Sequence, residues 1–254
     1  MARTEHYSSL HGRGVLVTGG ADGIGAATVA AFARAGARVA FFDIQTDLAV
    51  ALVEELADCD HQPVFIECDV TDLARVEAAV TQATEEVGPI LTLVNNAALD
   101  DREAIEDISA ESFDKAINVN LRHVIFTSKW VLPQMKANGG GAIVNMTSVA
   151  WMRGTFDMQV YATAKAGIVG FTNSLARQVG ADGIRVNAIA PGLVVTERQK
   201  RLWWDPESLE KSVDRACLKE LIYPEDVAKL ALFLGSDESS KITKHCVLIN
   251  GGSL

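Results

Sequence analysis

A tyrosine and a lysine stand at the two ends of the run Y-A-T-A-K, as Tyr161 and Lys165. On a helix, side chains four residues apart point the same way. A free phenol has a pKa of about 10 and is a poor base at neutral pH, but a nearby ammonium favours the phenolate and lowers that pKa. Ser148 lies 13 residues before Tyr161, and Asn120 lies further upstream. Since Y-x-x-x-K is common by chance, its meaning depends on the rest of the chain.

A glycine-rich loop, T-G-G-A-D-G-I-G at 18–25, follows the first apolar run. Glycines let the backbone approach a pyrophosphate closely, and the start of a helix offers unpaired N–H groups and the positive end of its dipole. Because a strand, this loop and a helix opening at Gly23 follow in that order, we predict dinucleotide binding here.

An acidic residue, Asp43, ends the second apolar run, 18 residues after Gly25. A carboxylate at this place accepts hydrogen bonds from the adenosine ribose hydroxyls and repels a 2′-phosphate. Neither of the next two residues, Ile44 and Gln45, is basic. The sequence therefore predicts NAD rather than NADP, and the alternative for Asp43 is a solvated acid at a strand end.

Short apolar runs alternate with helical patterns, and these elements must position the residues above. The predicted strands are Gly14–Thr18, Arg38–Phe42, Pro63–Cys68, Leu91–Val94, Ala142–Met146, Ile184–Ile189 and His245–Ile249. The predicted helices are Ile24–Ala35, Asp72–Val87, Ser112–Met135, Val160–Gly180 and Pro224–Leu234. Nearly continuous apolar strands are covered on both faces. We therefore predict a single-domain, Rossmann-type α/β fold with a doubly wound, parallel, seven-stranded sheet.

One segment, 196–219, breaks the alternation between the sixth strand and the last helix. Loops beyond the carboxyl ends of parallel strands hold ligands in such folds, so this segment is a candidate substrate lid. With no linker or repeat in view, residues 1–254 are predicted to form one catalytic domain that includes this insertion.

Composition narrows the function classes. The formal net charge is −10, which argues against nucleic acid and against an anionic membrane surface as partners. The four cysteines are scattered without a C-x-x-C pair, so no metal site is predicted. No signal peptide and no apolar run of about 18 residues is found, and the expected location is the cytoplasm.

The spacing T-G-x-x-x-G-x-G resembles that of the short-chain dehydrogenase/reductase family, and nearly the whole chain follows the family's motifs in order. Asp69-Val70 looks like its adenine contact, 95–98 like its N-N-A-G with alanine in last place, and 191–196 like its P-G-x-x-x-T beside the carboxamide. The resemblance implies NAD, with contacts from Gly19, Asp22, Gly23, Ile24, Gly25, Asp43, Asp69, Val70, Asn96, Ala97, Ala98, Tyr161, Lys165, Pro191, Gly192, Val194 and Thr196. The alternative role of Thr196 is to cap a helix. Asn95 and Asn96 alternatively only stabilise the loop by hydrogen bonds.

The same resemblance implies four catalytic residues. Tyr161 would remove the hydroxyl proton while hydride leaves to nicotinamide, and Ser148 would hydrogen-bond the same oxygen. Lys165 would lower the tyrosine pKa and anchor the ribose, and Asn120 would hold a water that relays the proton. Thr147 is an alternative hydroxyl, but it alternates to the other strand face.

Residues near the predicted pocket mouth resemble a bacterial subgroup of sugar 1-dehydrogenases, of which D-xylose dehydrogenase is an example. This implies oxidation of an aldose, a pentose or a 6-deoxyhexose, at C1 to the lactone. Sugars bind through hydrogen bonds and aromatic stacking, and the predicted substrate contacts are Ser148, Trp151, Arg153, Gln159, Arg198, Gln199 and Trp203. The alternative for Trp151 and Trp203 is a position in the core or in a subunit interface, where large aromatic side chains are also common. Asp100, Asp101, Arg122 and His123 also lie near the predicted pocket mouth. The alternative for Asp100 and Asp101 is a helix cap, and Arg122 and His123 are interpreted as part of a subunit interface, with a structural or solvated position as the alternative for His123.

Other functions stay open at this point. A second enzymatic reading is a dehydrogenase of another secondary alcohol: a keto-deoxy sugar acid, a 3-oxoacyl thioester or a steroid. A nucleotide-sensing regulator on the same fold would need no acid–base residue. The family resemblance also implies a homotetramer formed through the helices at 112–135 and 160–180, whose apolar residues include Val124, Phe126, Val169 and Phe171.

Overall fold

Seven strands form one sheet in the structure, a computed structural model that describes residues 5–202 and 206–254. The strands are β1 (Gly14–Thr18), β2 (Arg38–Asp43), β3 (Val64–Glu67), β4 (Ile90–Asn95), β5 (Gly141–Met146), β6 (Ile184–Pro191) and β7 (Cys246–Ile249). They lie in the order β3-β2-β1-β4-β5-β6-β7, and neighbouring strands pair in parallel. The order in which strands are added changes side between β1 and β4: β2 and β3 lie on one side of β1, and β4 to β7 lie on the other. Open α/β sheets bind ligands at such a point. The predicted fold class is confirmed.

Helices connect the strands. They are α1 (Gly23–Arg34), α2 (Thr46–Glu55), α3 (Leu73–Val87), α4 (Ala110–Ile117), α5 (His123–Ala137), α6 (Ala150–Arg153), α7 (Gln159–Val179), α8 (Glu197–Leu202), α9 (Pro206–Arg215) and α10 (Pro224–Gly235). None of the helices described is long and apolar enough to cross a membrane.

Alternating strand residues build a separate core on each face of the sheet. In β1, Val15 and Val17 pack with residues of α1 and α10, whereas Leu16 faces the opposite side, with α3, α5 and α7. In β2, Phe41 joins the first core and Phe42 the second. Because both faces are covered, the strands carry apolar residues at consecutive positions. This packing fixes the carboxyl edge of the sheet, where the site lies.

The helix predicted over 112–135 is wrong in one respect. The structure divides it into α4 and α5, joined by a π-helical turn at Asn118–Arg122. Helix α2 lies between β2 and β3, where the alternation of strands and helices also leaves room for a helix. The predicted strands match the observed strands to within two residues at their ends.

The segment 196–219 contains two helices, α8 and α9, rather than an irregular loop. Helix α8 follows directly from the loop after β6, which brings it to the carboxyl edge of the sheet. Trp203, predicted to contact the substrate, lies outside the described residues. That the segment acts as a lid stays a prediction.

Candidate active site

The glycine-rich loop between β1 and α1 has the close backbone contacts that its sequence predicts. Gly19 and Gly23 have φ values of +66° and +54°, a region that favours glycine. A Cβ atom at Gly25 would lie 1.7 Å from the carbonyl oxygen of Gly19. Asp22 caps α1 by accepting a hydrogen bond from the backbone N–H of Gly23 at 2.7 Å. The loop therefore presents backbone and a helix N-terminus to the adjoining cavity.

The carboxylate of Asp43 holds the turn at the end of β2. One oxygen accepts from the backbone N–H of Ala21 at 2.9 Å, and the other accepts from the N–H groups of Ile44 at 2.8 Å and Gln45 at 3.0 Å. Asp43 is thus not a solvated strand-end acid. It joins β2 to the glycine loop while its side chain still lines the cavity.

The asparagines after β4 brace the loop and the sheet. The Nδ2 group of Asn96 donates to the carbonyl oxygens of Thr18 at 3.1 Å and Gly19 at 2.7 Å. Asn95 donates to the side-chain oxygen of Asn145 on β5 at 2.9 Å. The alternative interpretation of this pair, as braces, therefore describes their side-chain contacts.

One cavity of about 870 Å³ brings the predicted cofactor residues together. Its wall includes Gly19, Asp22, Gly23, Ile24, Gly25, Asp43, Asp69, Val70, Asn96, Ala97, Ala98, Tyr161, Lys165, Pro191, Gly192, Val194 and Thr196. Thr196 also caps α8, because its hydroxyl accepts from the backbone N–H of Gln199 at 3.2 Å. The volume suits a large ligand, since ligand pockets span roughly 300–1,000 Å³.

Two hydroxyl groups meet at the inner end of this cavity. Tyr161, on α7, and Ser148, which follows β5, both line the cavity, and the hydroxyl of Ser148 accepts a hydrogen bond from the backbone N–H of Ala150 at 3.1 Å. Burial raises the pKa of Tyr161 to about 12, because a buried phenolate loses hydration, and the neighbouring Ser148 side chain lowers this pKa in part. Thr147 is engaged elsewhere: its hydroxyl donates to the carbonyl oxygen of Lys165 at 2.6 Å and so ties α7 to β5.

Lys165 lies one helical turn beyond Tyr161 and is buried. Its Nζ atom donates to the carbonyl oxygen of Met146 at 2.9 Å and lies 5.5 Å from the centroid of the Tyr161 ring. Burial lowers the pKa of Lys165 to about 7. In the protein without a bound cofactor, burial outweighs the effects of Ser148 and Arg198, which lower the pKa of Tyr161; that Lys165 lowers this pKa stays a prediction.

Asn120 lies in the π-helical turn between α4 and α5, and both polar atoms of its side chain form hydrogen bonds with backbone groups. Its Oδ1 atom accepts from the N–H of Leu99 at 3.0 Å, and its Nδ2 atom donates to the carbonyl oxygens of Leu99 at 2.9 Å and Ala116 at 3.0 Å. The expected water-holding role thus does not follow from these side-chain contacts. Asn120 instead fixes the segment after β4 against the helix, and π-helical turns of this kind are frequent at functional sites.

The predicted interface role of His123 is wrong, because its side chain is completely buried. Its Nε2 atom lies 3.4 Å from the hydroxyl of Thr18, directly beneath the glycine loop. Burial, followed by the positive charge of Lys165, lowers the pKa of His123 to about 3, so the ring is neutral at physiological pH. Arg122 also contacts its own chain, donating to the carbonyl oxygen of Thr71 at 2.9 Å.

The predicted substrate residues are only partly brought together. Ser148, Arg153, Arg198 and Gln199 line the cavity that contains the cofactor residues. Gln159 lies on the wall of a neighbouring cavity of about 320 Å³, which adjoins Tyr161. Trp151 is half-buried in α6 and lies on neither wall, so stacking on a sugar is not supported for it.

Three of these substrate residues pair with residues from other segments, and the sequence did not predict the pairs. Asp100, in the segment after β4, accepts hydrogen bonds from Arg198 and Gln199. Ser253, at the C-terminus, accepts from the guanidinium of Arg153 through its carbonyl and hydroxyl oxygens. The sequence placed Asp100 near the predicted pocket mouth but not in contact with α8.

Comparison with known proteins places this geometry in a family. The family model described as enoyl-(acyl carrier protein) reductase matches residues 19–253. A probable galactose dehydrogenase of Rhizobium meliloti is 48% identical, with 98% of each chain covered. The D-xylose 1-dehydrogenase of Caulobacter vibrioides is 46% identical, with 97% of each chain covered. The chain belongs to the short-chain dehydrogenase/reductase family. A solved structure of a provisionally assigned short-chain alcohol dehydrogenase from Sinorhizobium meliloti superposes with a TM-score of 0.92 at 30% identity, covering 97% of this chain and 98% of that one.

Membership of the short-chain dehydrogenase/reductase family makes the protein an oxidoreductase and implies a nicotinamide cofactor. The residues present fit such a group on structural grounds. The close approach at Gly25 leaves backbone rather than side chain beside a diphosphate, and the N-terminus of the twelve-residue helix α1 faces it. The cavity then continues from the Asp43 end to Ser148 and Tyr161, so one extended ligand would span both ends.

Proposed function

We propose that this protein oxidises an aldose, a pentose or a 6-deoxyhexose, at C1 to the lactone with NAD as the hydride acceptor. The observation that carries the proposal is that Ser148, Tyr161 and Lys165 line the same cavity as the glycine-rich loop and the polar side chains of Arg198 and Gln199 on α8. The similarity to relatives named galactose and xylose dehydrogenases supports the choice of an aldose.

The acid–base work falls to Tyr161 and Ser148. In the oxidation, the C1 hydroxyl gives its proton to the Tyr161 phenolate, and the Ser148 hydroxyl hydrogen-bonds the same oxygen as the carbonyl forms. When bound, NAD supplies the acceptor for the hydride that leaves C1. Both side chains line the same cavity, so an aldose oxygen bound there would contact both hydroxyls.

Lys165 is proposed to keep the tyrosine usable as a base. Because burial raises the pKa of Tyr161, the phenolate needs positive charge nearby. A protonated Lys165, 5.5 Å from the ring centroid, attracts the phenolate. Its amino group also lines the cofactor cavity, where it is within reach of hydroxyl groups on a bound nicotinamide ribose.

Asn120 is proposed to support proton transfer through the backbone that it fixes. Its three hydrogen bonds hold Leu99 and Ala116 in place. Both residues also line the smaller cavity behind Tyr161. A water relay that leaves the tyrosine on this side would therefore depend on Asn120 for its geometry rather than for a direct side-chain contact.

NAD is proposed over NADP because of the residues at the end of β2. The carboxylate of Asp43 and the side chains of Ile44 and Gln45 line the cavity there. Ile44 is 66% exposed. A 2′-phosphate would meet a negative charge at Asp43 and no cation from the two residues that follow it, which disfavours NADP.

A homotetramer is proposed on family grounds, with a change to the expected surface. Val124 is buried and is not available to a partner, whereas Phe126, Val169 and Phe171 are half-buried. Phe113 on α4 and Ile125 on α5 are instead exposed. A sedimentation experiment that found a monomer at micromolar concentration would overturn this part of the proposal.

The proposed reaction is tested by following NADH formation with a panel of aldoses: D-xylose, L-arabinose, D-arabinose, L-fucose, L-rhamnose and D-galactose. We expect a strong rate with one or two sugars, faster with NAD than with NADP, and detection of the lactone in the same mixture. No turnover across the panel, with NAD binding intact, would overturn the aldose assignment. Sugar acids and simple secondary alcohols serve as the comparison substrates.

A further inference from the structure

Asp100 joins two parts of the cavity wall that are far apart in the sequence. It belongs to the segment after β4, and its partners belong to α8. One carboxylate oxygen accepts from the Nη1 atom of Arg198 at 3.1 Å, and the other accepts from the Nε2 atom of Gln199 at 2.5 Å. The side chain of Asp100 is 17% exposed, and all three residues line the cavity that contains Ser148 and Tyr161.

The helix-cap interpretation of Asp100 is not supported. Helix α4 begins at Ala110 and is capped by Ser109, whose hydroxyl accepts from the backbone N–H of Ser112. The carboxylate of Asp100 instead faces α8. Its negative charge also acts on the reacting end of the cavity: it adds to the raised pKa of Tyr161 and partly offsets the lowering of the pKa of Lys165 by burial. Asp100 therefore lies within electrostatic reach of the proposed base.

The three side chains form a polar surface in which the charges are balanced. The guanidinium of Arg198 is paired with Asp100 and lies 3.8 Å from Asp101. An ionised carboxylate has about four lone-pair sites, and the two contacts to α8 leave part of that capacity for a ligand. Because a sugar hydroxyl both donates and accepts, it suits a neutral cluster of acceptors and donors better than an anion does.

We propose that Asp100 determines substrate specificity: held by Arg198 and Gln199, its carboxylate accepts a hydrogen bond from one hydroxyl of the aldose other than the reacting one. This inference rests on the proposed function and deepens it. It assigns recognition of the sugar to the contact between the segment after β4 and α8, in addition to the residues near Ser148.

The test combines Asp100→Asn with a series of monodeoxy aldoses, each lacking one hydroxyl of the best substrate. The substitution keeps the shape of the side chain and removes its charge. We expect kcat/KM for the complete sugar to fall roughly 10- to 100-fold, the size of a lost hydrogen bond to a charged group. For one deoxy analogue, the variant and the wild type should differ less than threefold. The matched control is Asp101→Asn, because Asp101 is 58% exposed and lies outside the hydrogen bonds to Gln199.

An equal loss of kcat/KM with every analogue would overturn the inference, because it would show that Asp100 only holds α8 in position. Faster tryptic cleavage after Lys200 or Arg201 would accompany that result. Unchanged binding of NAD and an unchanged melting temperature show that Asp100→Asn is folded. If it is not folded, Gln199→Leu provides the second test, with the same position-specific loss expected. A wild-type enzyme inactive with all aldoses would overturn the proposed function and this inference together.

Discussion

The Nζ atom of Lys165 lies 5.5 Å from the centroid of the Tyr161 ring, one helical turn away on α7. This separation allows the lysine to act on the phenol through its charge while its hydrogen bond goes to Met146. Because Met146 ends β5, the position of the Lys165 ammonium beside Tyr161 depends on the packing of β5 against α7. Substitutions at this site and in the glycine-rich loop test the proposed roles.

Substitution of Tyr161 by Phe removes the proposed base and keeps the ring. We expect kcat to fall by roughly 10²- to 10⁴-fold, the usual contribution of general base catalysis, with little change in the affinity for NAD. Steady-state kinetics and NADH fluorescence titration measure the two quantities. Thr147→Val is the control, since this hydroxyl contacts only the backbone of Lys165 among the described hydrogen bonds. Equal activity of Tyr161→Phe and wild type would contradict the proposed base.

Substitution of Gly25 by Ala should abolish NAD binding. The new Cβ atom would lie 1.7 Å from the carbonyl oxygen of Gly19, so the loop or α1 must shift. Gly170→Ala on α7 is the matched control, because its added Cβ would have no atom within 4 Å among the described residues apart from its chain neighbours and the backbone of its own helix; it should stabilise the fold by up to about 1 kcal/mol. Calorimetric titration with NAD compares the variants. Wild-type affinity in Gly25→Ala would contradict the predicted phosphate contact.

Substitution of Ile44 by Arg should shift the preference toward NADP without disturbing the fold, because Ile44 is exposed at the surface. The ratio of kcat/KM for NAD to that for NADP should fall at least about tenfold, since a guanidinium pairs with phosphate. Leu48→Arg, on the exposed surface of α2, is the control for added charge. An unchanged ratio in Ile44→Arg would contradict the proposed position of the adenosine 2′-hydroxyl at the end of β2.

His123 should make the stability of the protein depend on pH. Its pKa is lowered to about 3 in the folded protein, against about 6.5 when unfolded. Between these values the unfolded chain binds a proton that the folded protein does not. The free energy of unfolding therefore falls as pH falls below about 6.5, by up to about 1.4 kcal/mol per pH unit from this residue.

Urea unfolding of wild type and His123→Gln at a series of pH values isolates this contribution. The difference between their free energies of unfolding should change in favour of the variant as the pH is lowered. His61→Gln is the control, since His61 is half-buried at the surface rather than enclosed. A pH-independent difference between wild type and His123→Gln would contradict the buried neutral state.

The strands and the glycine loop were predictable because their signals are local. Val15, Leu16 and Val17 form a continuous apolar run, and the glycines that follow permit the tight turn. The same holds for Tyr161 and Lys165, whose relative placement is set by one helix. In each case a few neighbouring residues determine the geometry.

The remaining features depend on contacts across the fold. The pair of Asp100 and Arg198 joins residues 98 positions apart, which no local pattern indicates. The π-helical turn at Asn120 depends on hydrogen bonds to Leu99, in another segment. The raised pKa of Tyr161 results from burial, which depends on the whole fold and not on the Y-x-x-x-K motif.

Hydride transfer from C1 of an aldose is tested most directly by incubating the enzyme and NAD with an aldose that carries deuterium at C1, followed by mass spectrometry of the cofactor and of the sugar product. We expect one deuterium in the NADH formed and an unlabelled lactone as product. Unlabelled NADH, with deuterium retained in a product oxidised at another carbon, would contradict hydride transfer from C1.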